Sequence, residues 1–283
     1  MTVFGLGLDA RKALEQAKLA DREGLDHVSV SDHPYLAHLP DAYATIGFLL
    51  GATTRVSGLV NVTNLPTRPA PMLARTVTSL SELSGGRIVL GMGAGGSWPD
   101  IAKLGVAPLT PAQAVRAMGE AITVVRALSG GGGPVSFEGE FYRFDGLVPS
   151  RVAAPPVWTG SVGPSSLAVT GRLADGWIPG HAADWLSPRY NESRPIIDAA
   201  AAEAGRDPRE VATIYNLPGR ITNAPLNRTR DEQGRWIGGS VEQWVEELTI
   251  AIKEFGAGGF TYFPGNDLEI GRWAGEIVPA LRD

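Results

Sequence analysis

Eight short apolar runs recur along the chain and alternate with segments of helical period. The runs cover 3–8, 25–30, 56–62, 88–93, 156–159, 176–178, 211–215 and 259–263. Most do not alternate apolar with polar positions, the pattern expected of parallel strands buried on both faces. Between and after them, segments 10–23, 41–53, 71–83, 111–128, 164–174, 188–204, 240–255 and 267–281 read as helices. In 111–128, Val115, Met118, Ile122 and Val125 fall on one face; in 240–255, Val241, Trp244, Val245, Leu248 and Ile252 do the same. Pro71, Pro111, Pro164 and Pro188 suit first helical turns, where a missing N–H costs nothing, and Ser240 suits an N-cap. Strict alternation of eight strands with eight helices predicts an α/β fold, a (β/α)8 TIM barrel occupying residues 1–283 as one domain. A doubly wound sheet with a split domain is the alternative.

Three stretches exceed what such a barrel needs: 97–110, 129–154 and 222–239. The middle one contains Phe137-Glu-Gly-Glu-Phe141-Tyr-Arg-Phe144 and reads as a hairpin. The third is polar enough to be a mobile lid. All three are expected to line a substrate pocket.

Composition narrows the chemistry. The 283 residues include 36 glycines and 21 prolines, about a fifth of the chain, which suits a loop-rich enzyme. A net charge of −5 without a run of basic residues argues against a nucleic-acid binder. No cysteine is present, which removes disulfides, thiolate nucleophiles and iron–sulfur clusters. No stretch nears the roughly 18 apolar residues that would cross a bilayer, and no secretory pattern opens the chain; a cytoplasmic protein is expected.

Barrel sites lie at the C-terminal ends of the strands. Those ends read Asp9, Ser31-Asp32-His33, Asn61-Val62-Thr63-Asn64, Gly93-Ala-Gly95-Gly96, Gly160-Ser161, Pro179-Gly180-His181, Asn216 and Gly265-Asn266. Small residues and amides suit a planar ligand lying on backbone better than a hydrolytic centre. His33, held extended by Pro34, would point into the mouth as a proton or hydrogen-bond donor. The plain alternative is a histidine bonded to a neighbouring loop. His27 and His38 read as structural and His181 as a weaker candidate; the four histidines lack metal-ligand spacing. Gly91-Met-Gly93-Ala-Gly95-Gly96 satisfies a dinucleotide fingerprint, but no helix follows at once, so its glycines read as room for a flat ligand. Gly160-Ser161-Val162-Gly163-Pro164-Ser165 precedes a helix, where backbone N–H groups and hydroxyls would suit a phosphate. An ordinary N-cap by Ser161 or Ser165 is the alternative.

Pro69-Ala-Pro-Met-Leu-Ala-Arg75, the stretch from Leu80 through Leu83-Ser-Gly-Gly-Arg87 to Gly95, and Gly171-Arg-Leu-Ala-Asp-Gly-Trp177 resemble the bacterial luciferase-like flavin-dependent oxidoreductases. The likeness runs over nearly the whole chain. It implies a (β/α)8 barrel, a homodimer, and either FMN or the deazaflavin coenzyme F420. Ser31-Asp32-His33 and Asn61-Val62-Thr63-Asn64 are similar to the F420 branch, as is Gly163-Pro164. That branch implies a histidine beside the deazaflavin, a non-prolyl cis peptide at Asn61-Val62 behind the ring, and a phosphate loop. His33 is thus the expected catalytic residue. Asp32, Asn61, Val62, Thr63, Asn64, Gly93, Gly95, Gly160, Ser161, Val162, Gly163, Pro164 and Ser165 are expected to hold the cofactor.

Two departures bear on the reaction. Alcohol- and sugar-phosphate-oxidising members carry a Trp shortly after the His, where Tyr35, Leu36 and Ala37 stand here. They also carry a Glu where this chain has Gly96. The resemblance therefore implies F420-linked reduction of a small organic substrate. An FMN monooxygenase and a non-catalytic flavin binder are the rivals. An oligoglutamate tail on F420 would look for cations, and Arg220, Arg228, Arg230 and Arg235 are the expected source; the alternative is solvated lid charges paired with Asp231 and Glu232.

Overall fold

In a computed structural model, which describes residues 2–180 and 184–282, the apolar runs close on one another as eight parallel strands. They are β1 (Val3–Gly7), β2 (His27–Val30), β3 (Ser57–Val60, resuming at Thr63–Asn64), β4 (Ile88–Gly93), β5 (Val157–Thr159), β6 (Gly176–Trp177), β7 (Ala212–Leu217) and β8 (Gly259–Tyr262). Each pairs with its neighbours in chain order, and β1 pairs with β8, so the sheet has no free edge. His181 lies outside the described residues.

The barrel interior closes because large side chains meet glycines in register. Gly5 stands opposite His27, and a Cβ on it would lie 2.1 Å from His27 Nε2. Gly176 stands opposite Trp158, and a Cβ there would lie 2.5 Å from the indole. Leu59, Trp158, Ile178 and Ile214 fill the space these pairings leave. His27 is buried, bonds Thr261 Oγ1 at 2.8 Å, and meets Trp158 edge-on. The structural reading of this histidine holds.

Burial pushes His27 down to about 4. An unfolded chain therefore binds a proton near pH 6.5 that the folded barrel refuses. Stability is complete above that range and falls as pH drops from 6.5 towards 4. Denaturant titration should show about 2 kcal/mol lost at pH 5 relative to pH 8 in the parent, and a smaller loss in His27→Gln. Equal losses would assign the acid sensitivity elsewhere.

Helices pack outside: α1 (Ala13–Arg22), α2 (Ala42–Gly51), α3 (Ala70–Ser84), α4 (Pro111–Ala127), α5 (Pro164–Leu173), α6 (Pro188–Glu203), α7 (Val241–Lys253) and α8 (Asp267–Arg272). Reciprocal capping boxes start α4 (Thr110 with Gln113) and α7 (Ser240 with Gln243), as the sequence at Ser240 predicts. Gly85 ends α3 in the left-handed conformation. The final helix is shorter than its 15-residue pattern, because a π-helical turn, Trp273–Ile277, interrupts it before Val278–Arg282.

Two of the three added stretches differ from expectation. Residues 129–154 do form a hairpin, Val135–Glu138 against Arg143–Leu147. It joins the end of α4 to the start of β5, however, so it is rooted at the opposite end of the barrel from the mouth and its tip runs back along the outer side of α4. There Arg116 pairs with Glu140, and Glu120 accepts the N–H groups of Glu140 and Phe141. It lines none of the mouth cavities. Residues 222–239 are fastened, not loose. Trp236 is buried against Trp244, and Arg230 pairs with Asp184 and Glu247 between the rings of Trp185 and Trp236. A polar composition signals exposure but not which arginine will find two carboxylates. Residues 97–110 reach the cavities beside His33 and the start of α5 through the short helix Trp98–Ala102, while Thr222 and Asn223 line a separate 360 Å³ cavity beside Asn266.

Candidate active site

The mouth is organised by the break in β3. The peptide Asn61–Val62 is cis, as expected, and Thr63–Asn64 then resume pairing with Met92–Gly93. The Val62 side chain emerges between two glycines. A Cβ on Gly93 would lie 2.8 Å from Val62 Cγ2, and one on Gly160 would lie 3.1 Å from it. These glycines make room for Val62, and Val62 forms an apolar platform on the cavity wall.

Two cavities share Gly95, Gly96, Gly160 and Val62's neighbour Val162. One, of 430 Å³, is lined by Asp32, His33, Tyr35, Val62, Thr63, Asn64 and Gly93. The other, of 540 Å³, runs past Trp98 and Met118 to Gly160–Ser166 at the start of α5. No lysine or arginine lines either. A third, of 120 Å³, lies against His33 and is walled by Leu8, Val30, Leu39 and Pro40.

Asp32 lines the cavity but turns its carboxylate into the protein. Its side chain is 1% exposed. It accepts from Asn64 N at 2.9 Å and from Arg68 Nε and Nη2 at 2.8 and 2.7 Å. Arg68 also reaches Asp41 at 2.7 Å and lies 4.8 Å over the Tyr43 ring. These bonds, that to Asp32 first, push the guanidinium further up. Tyr43 OH meets Thr63 Oγ1 at 2.6 Å, and burial pushes this phenol up, so it stays neutral. Asp32, Arg68, Tyr43 and Thr63 thus brace the loops from behind. Arg68 and Tyr43 escaped the sequence reading, and no local spacing marks either.

Three expectations about polar contacts change. Asn61 lines neither large cavity, because its amide donates to Asn216 Oδ1 on β7 at 2.9 Å. Ser161 is buried, its hydroxyl accepting from Thr170 and its carbonyl from Trp177 Nε1. Ser161 still lines the 540 Å³ cavity, and its hydroxyl keeps its own hydrogen to donate, but it is not the N-cap: Gly163 occupies that place with no side-chain cap. Val162, Pro164 and Ser165 do line the 540 Å³ cavity, with the free first-turn N–H groups of α5 behind them. Gly95 lines both large cavities; it takes φ +98°, and a Cβ there would crowd Pro66 at 2.7 Å, so the turn itself requires glycine. At Gly96 an added side chain would meet nothing within 4 Å, so the acid missing there leaves open space.

Of the four arginines expected for a cofactor tail, Arg220 lines a separate 360 Å³ cavity beside Asn266. Arg220 pairs with Glu269, Arg235 with Asp231, and Arg230 is built into the loop. None lines either large cavity.

The walls of the trough fit a planar ligand. Asn64 lines the cavity, and its Oδ1 is buried with no partner among the described residues. For a flavin or deazaflavin, Val62 offers the ring plane a surface, the Asn64 side chain forms part of the wall, and the start of α5 offers the phosphate N–H donors.

Fold and site together define a (β/α)8-barrel protein with an uncharged mouth trough that ends at a helix N-terminus. The chain belongs to the luciferase-like monooxygenase family, whose model matches residues 5–225. It is 31% identical over 203 residues to 5,10-methylenetetrahydromethanopterin reductase from Methanolobus tindarius, covering 71% of this chain and 58% of that one. It is 33% identical over 210 residues to F420-dependent glucose-6-phosphate dehydrogenase from Nakamurella multipartita, covering 71% and 61%. The chain thus matches about three fifths of the length of these curated relatives. An F420-dependent secondary alcohol dehydrogenase, in complex with an F420-acetone adduct, shares the fold with a TM-score of 0.81 at 22% identity, covering 100% of this chain and 99% of that one.

Proposed function

We propose that this protein is an F420-dependent oxidoreductase that moves hydride between the deazaflavin and a small organic substrate, working as a reductase. The observation that carries the reading is the trough itself. Val62, Asn64 and the start of α5 follow one another along it, with His33 at its side. F420 supplies two-electron hydride chemistry when bound. The chain's own residues hold and orient it, and His33 handles the proton. Open space at Gly96 favours reduction, since oxidation of an alcohol would call for a further base there. The apolar pocket beside His33 has no cation and suits a compact uncharged substrate group.

Titration with both cofactors tests the proposal. F420 is expected to bind and, once reduced, to be consumed with a small acceptor. Tight FMN binding with no F420 affinity would instead promote the FMN monooxygenase reading. Gly163→Asp sharpens the experiment. Position 163 has ordinary φ and open surroundings, and aspartate is a good N-cap, so the fold should survive. A carboxylate where the phosphate sits should weaken F420 binding by about tenfold or more, about 1.4 kcal/mol.

The reading includes a homodimer and a cytoplasmic location. α2 packs on α3 at Gly47 against Leu80, and Phe48, Met72 and Leu83 on these helices are exposed by 64%, 63% and 86%. These apolar residues give a second copy a surface to cover. A monomer in sedimentation at micromolar concentration would remove the dimer. No helix among the described residues is long and apolar enough to cross a membrane.

A further inference from the structure

We propose that Tyr35 is a positioning residue that holds His33 as the Nε2–H tautomer and reloads its Nδ1 while Nε2 gives up a proton to a carbonyl substrate. This rests on the reading of His33 above and goes beyond it in naming the substrate class and the source of the proton.

The two side chains share the loop after β2 and the 430 Å³ cavity. Tyr35 OH lies 2.9 Å from His33 Nδ1, with ring centroids 5.6 Å apart at 51°. Pro34 between them restricts the backbone, so the pairing is local and pre-set. A phenol can donate or accept, and its surroundings decide which. The nearby carboxylates are occupied: Asp32 by Arg68 and Asn64 N, Asp100 by Ser97 and Lys103. Nδ1 is the only acceptor within the protein, among the described residues, for the Tyr35 proton. Burial, with Asp100 and Asp32 adding to it, pushes the phenol up, so it is protonated at neutral pH. It therefore donates, Nδ1 accepts, and the remaining ring nitrogen carries its hydrogen.

The proton balance closes on this pair. The carbonyl carbon receives hydride from reduced F420, and the electron pair left on its oxygen takes the Nε2 proton. Loss of that proton alone would leave an imidazolate, which is strongly basic. The Tyr35 proton moving to Nδ1 avoids this, and the phenolate that remains recovers a proton through solvent, balanced by the proton the deazaflavin releases after giving up hydride. No carboxylate takes part, in keeping with the open space at Gly96.

Nitrogen-15 NMR of the ligand-free protein, well above the ordinary imidazole pKa of about 6.5, reads the pair without any substrate. In the parent, His33 Nδ1 should be unprotonated and its resonance should move in Tyr35→Phe as the hydrogen bond is lost. Kinetics with reduced F420 and a panel of ketones and aldehydes is the second readout. Tyr35→Phe should lower kcat by about 10–100-fold, within the usual reach of general acid catalysis. F420 affinity should not change, and the solvent deuterium effect on kcat should be altered. A protonated Nδ1 in the parent, or an unchanged kcat in Tyr35→Phe, overturns the inference. No turnover of any carbonyl compound by a parent that binds F420 overturns the substrate class. Failure of the parent to bind F420 is a different result: it removes the proposed function, while the NMR measurement still decides the tautomer.

Discussion

His33→Ala is expected to lower turnover with reduced F420 by about 10²–10⁴-fold while the fold and cofactor affinity survive. The physical basis is position. His33 follows β2 directly, is solvent-accessible, and lines both the 430 Å³ cavity and the 120 Å³ apolar pocket beside it. A group in both places can touch cofactor and substrate at once. Its side chain has one hydrogen-bond partner among the described residues, Tyr35, so deleting it removes little packing. Circular dichroism and an F420 titration should therefore match the parent. An alanine variant that turns over normally but binds F420 poorly would make His33 a cofactor clamp.

A larger effect on stability is expected at Arg68. Asp32 is almost fully buried, and two of its three bonds come from this one guanidinium. Arg68→Ala would leave a buried carboxylate with only the Asn64 N–H, and would also release Asp41 and uncover the Tyr43 ring. Breaking a buried pair from one side typically costs about 3–5 kcal/mol, much more than the pair itself contributes. Urea unfolding should show a loss of that size, partly recovered in the double variant Asp32→Asn, Arg68→Met. A loss below about 1 kcal/mol would mean that water reaches Asp32 and that the brace is not what holds the loops. Because Asp32 adjoins His33 and bonds the backbone of Asn64, the single variant should also weaken cofactor binding.

The element pattern was legible because its causes are local. Apolar runs of three to seven residues, proline in first turns, and Ser240 as an N-cap act within one element, and each appears where the sequence puts it. Alternation of strand and helix then leaves a barrel as the simple way to bury every run. His33 was legible for a similar reason: the residue after a barrel strand, held by proline, faces the mouth whatever else the fold does. The likeness at Asn61-Val62 carried the cis peptide, which no composition rule reveals.

What the tertiary structure alone decided is the assignment of partners between distant segments. Asp32 meets Arg68, Asn61 meets Asn216, and Arg230 meets Asp184 and Glu247. Each pairing turned a residue that looked available for a ligand, or for a lid, into part of the scaffold. The choice depends on barrel register and on which strand ends adjoin. A one-residue slip would exchange inward for outward side chains, so no reading of single segments could settle it. The sequence by itself determined the elements, the barrel and the histidine at its mouth. Only closure of the sheet decided which polar side chains were left for chemistry, because hydrogen bonds are short-ranged and long-range partners meet only once the barrel has formed.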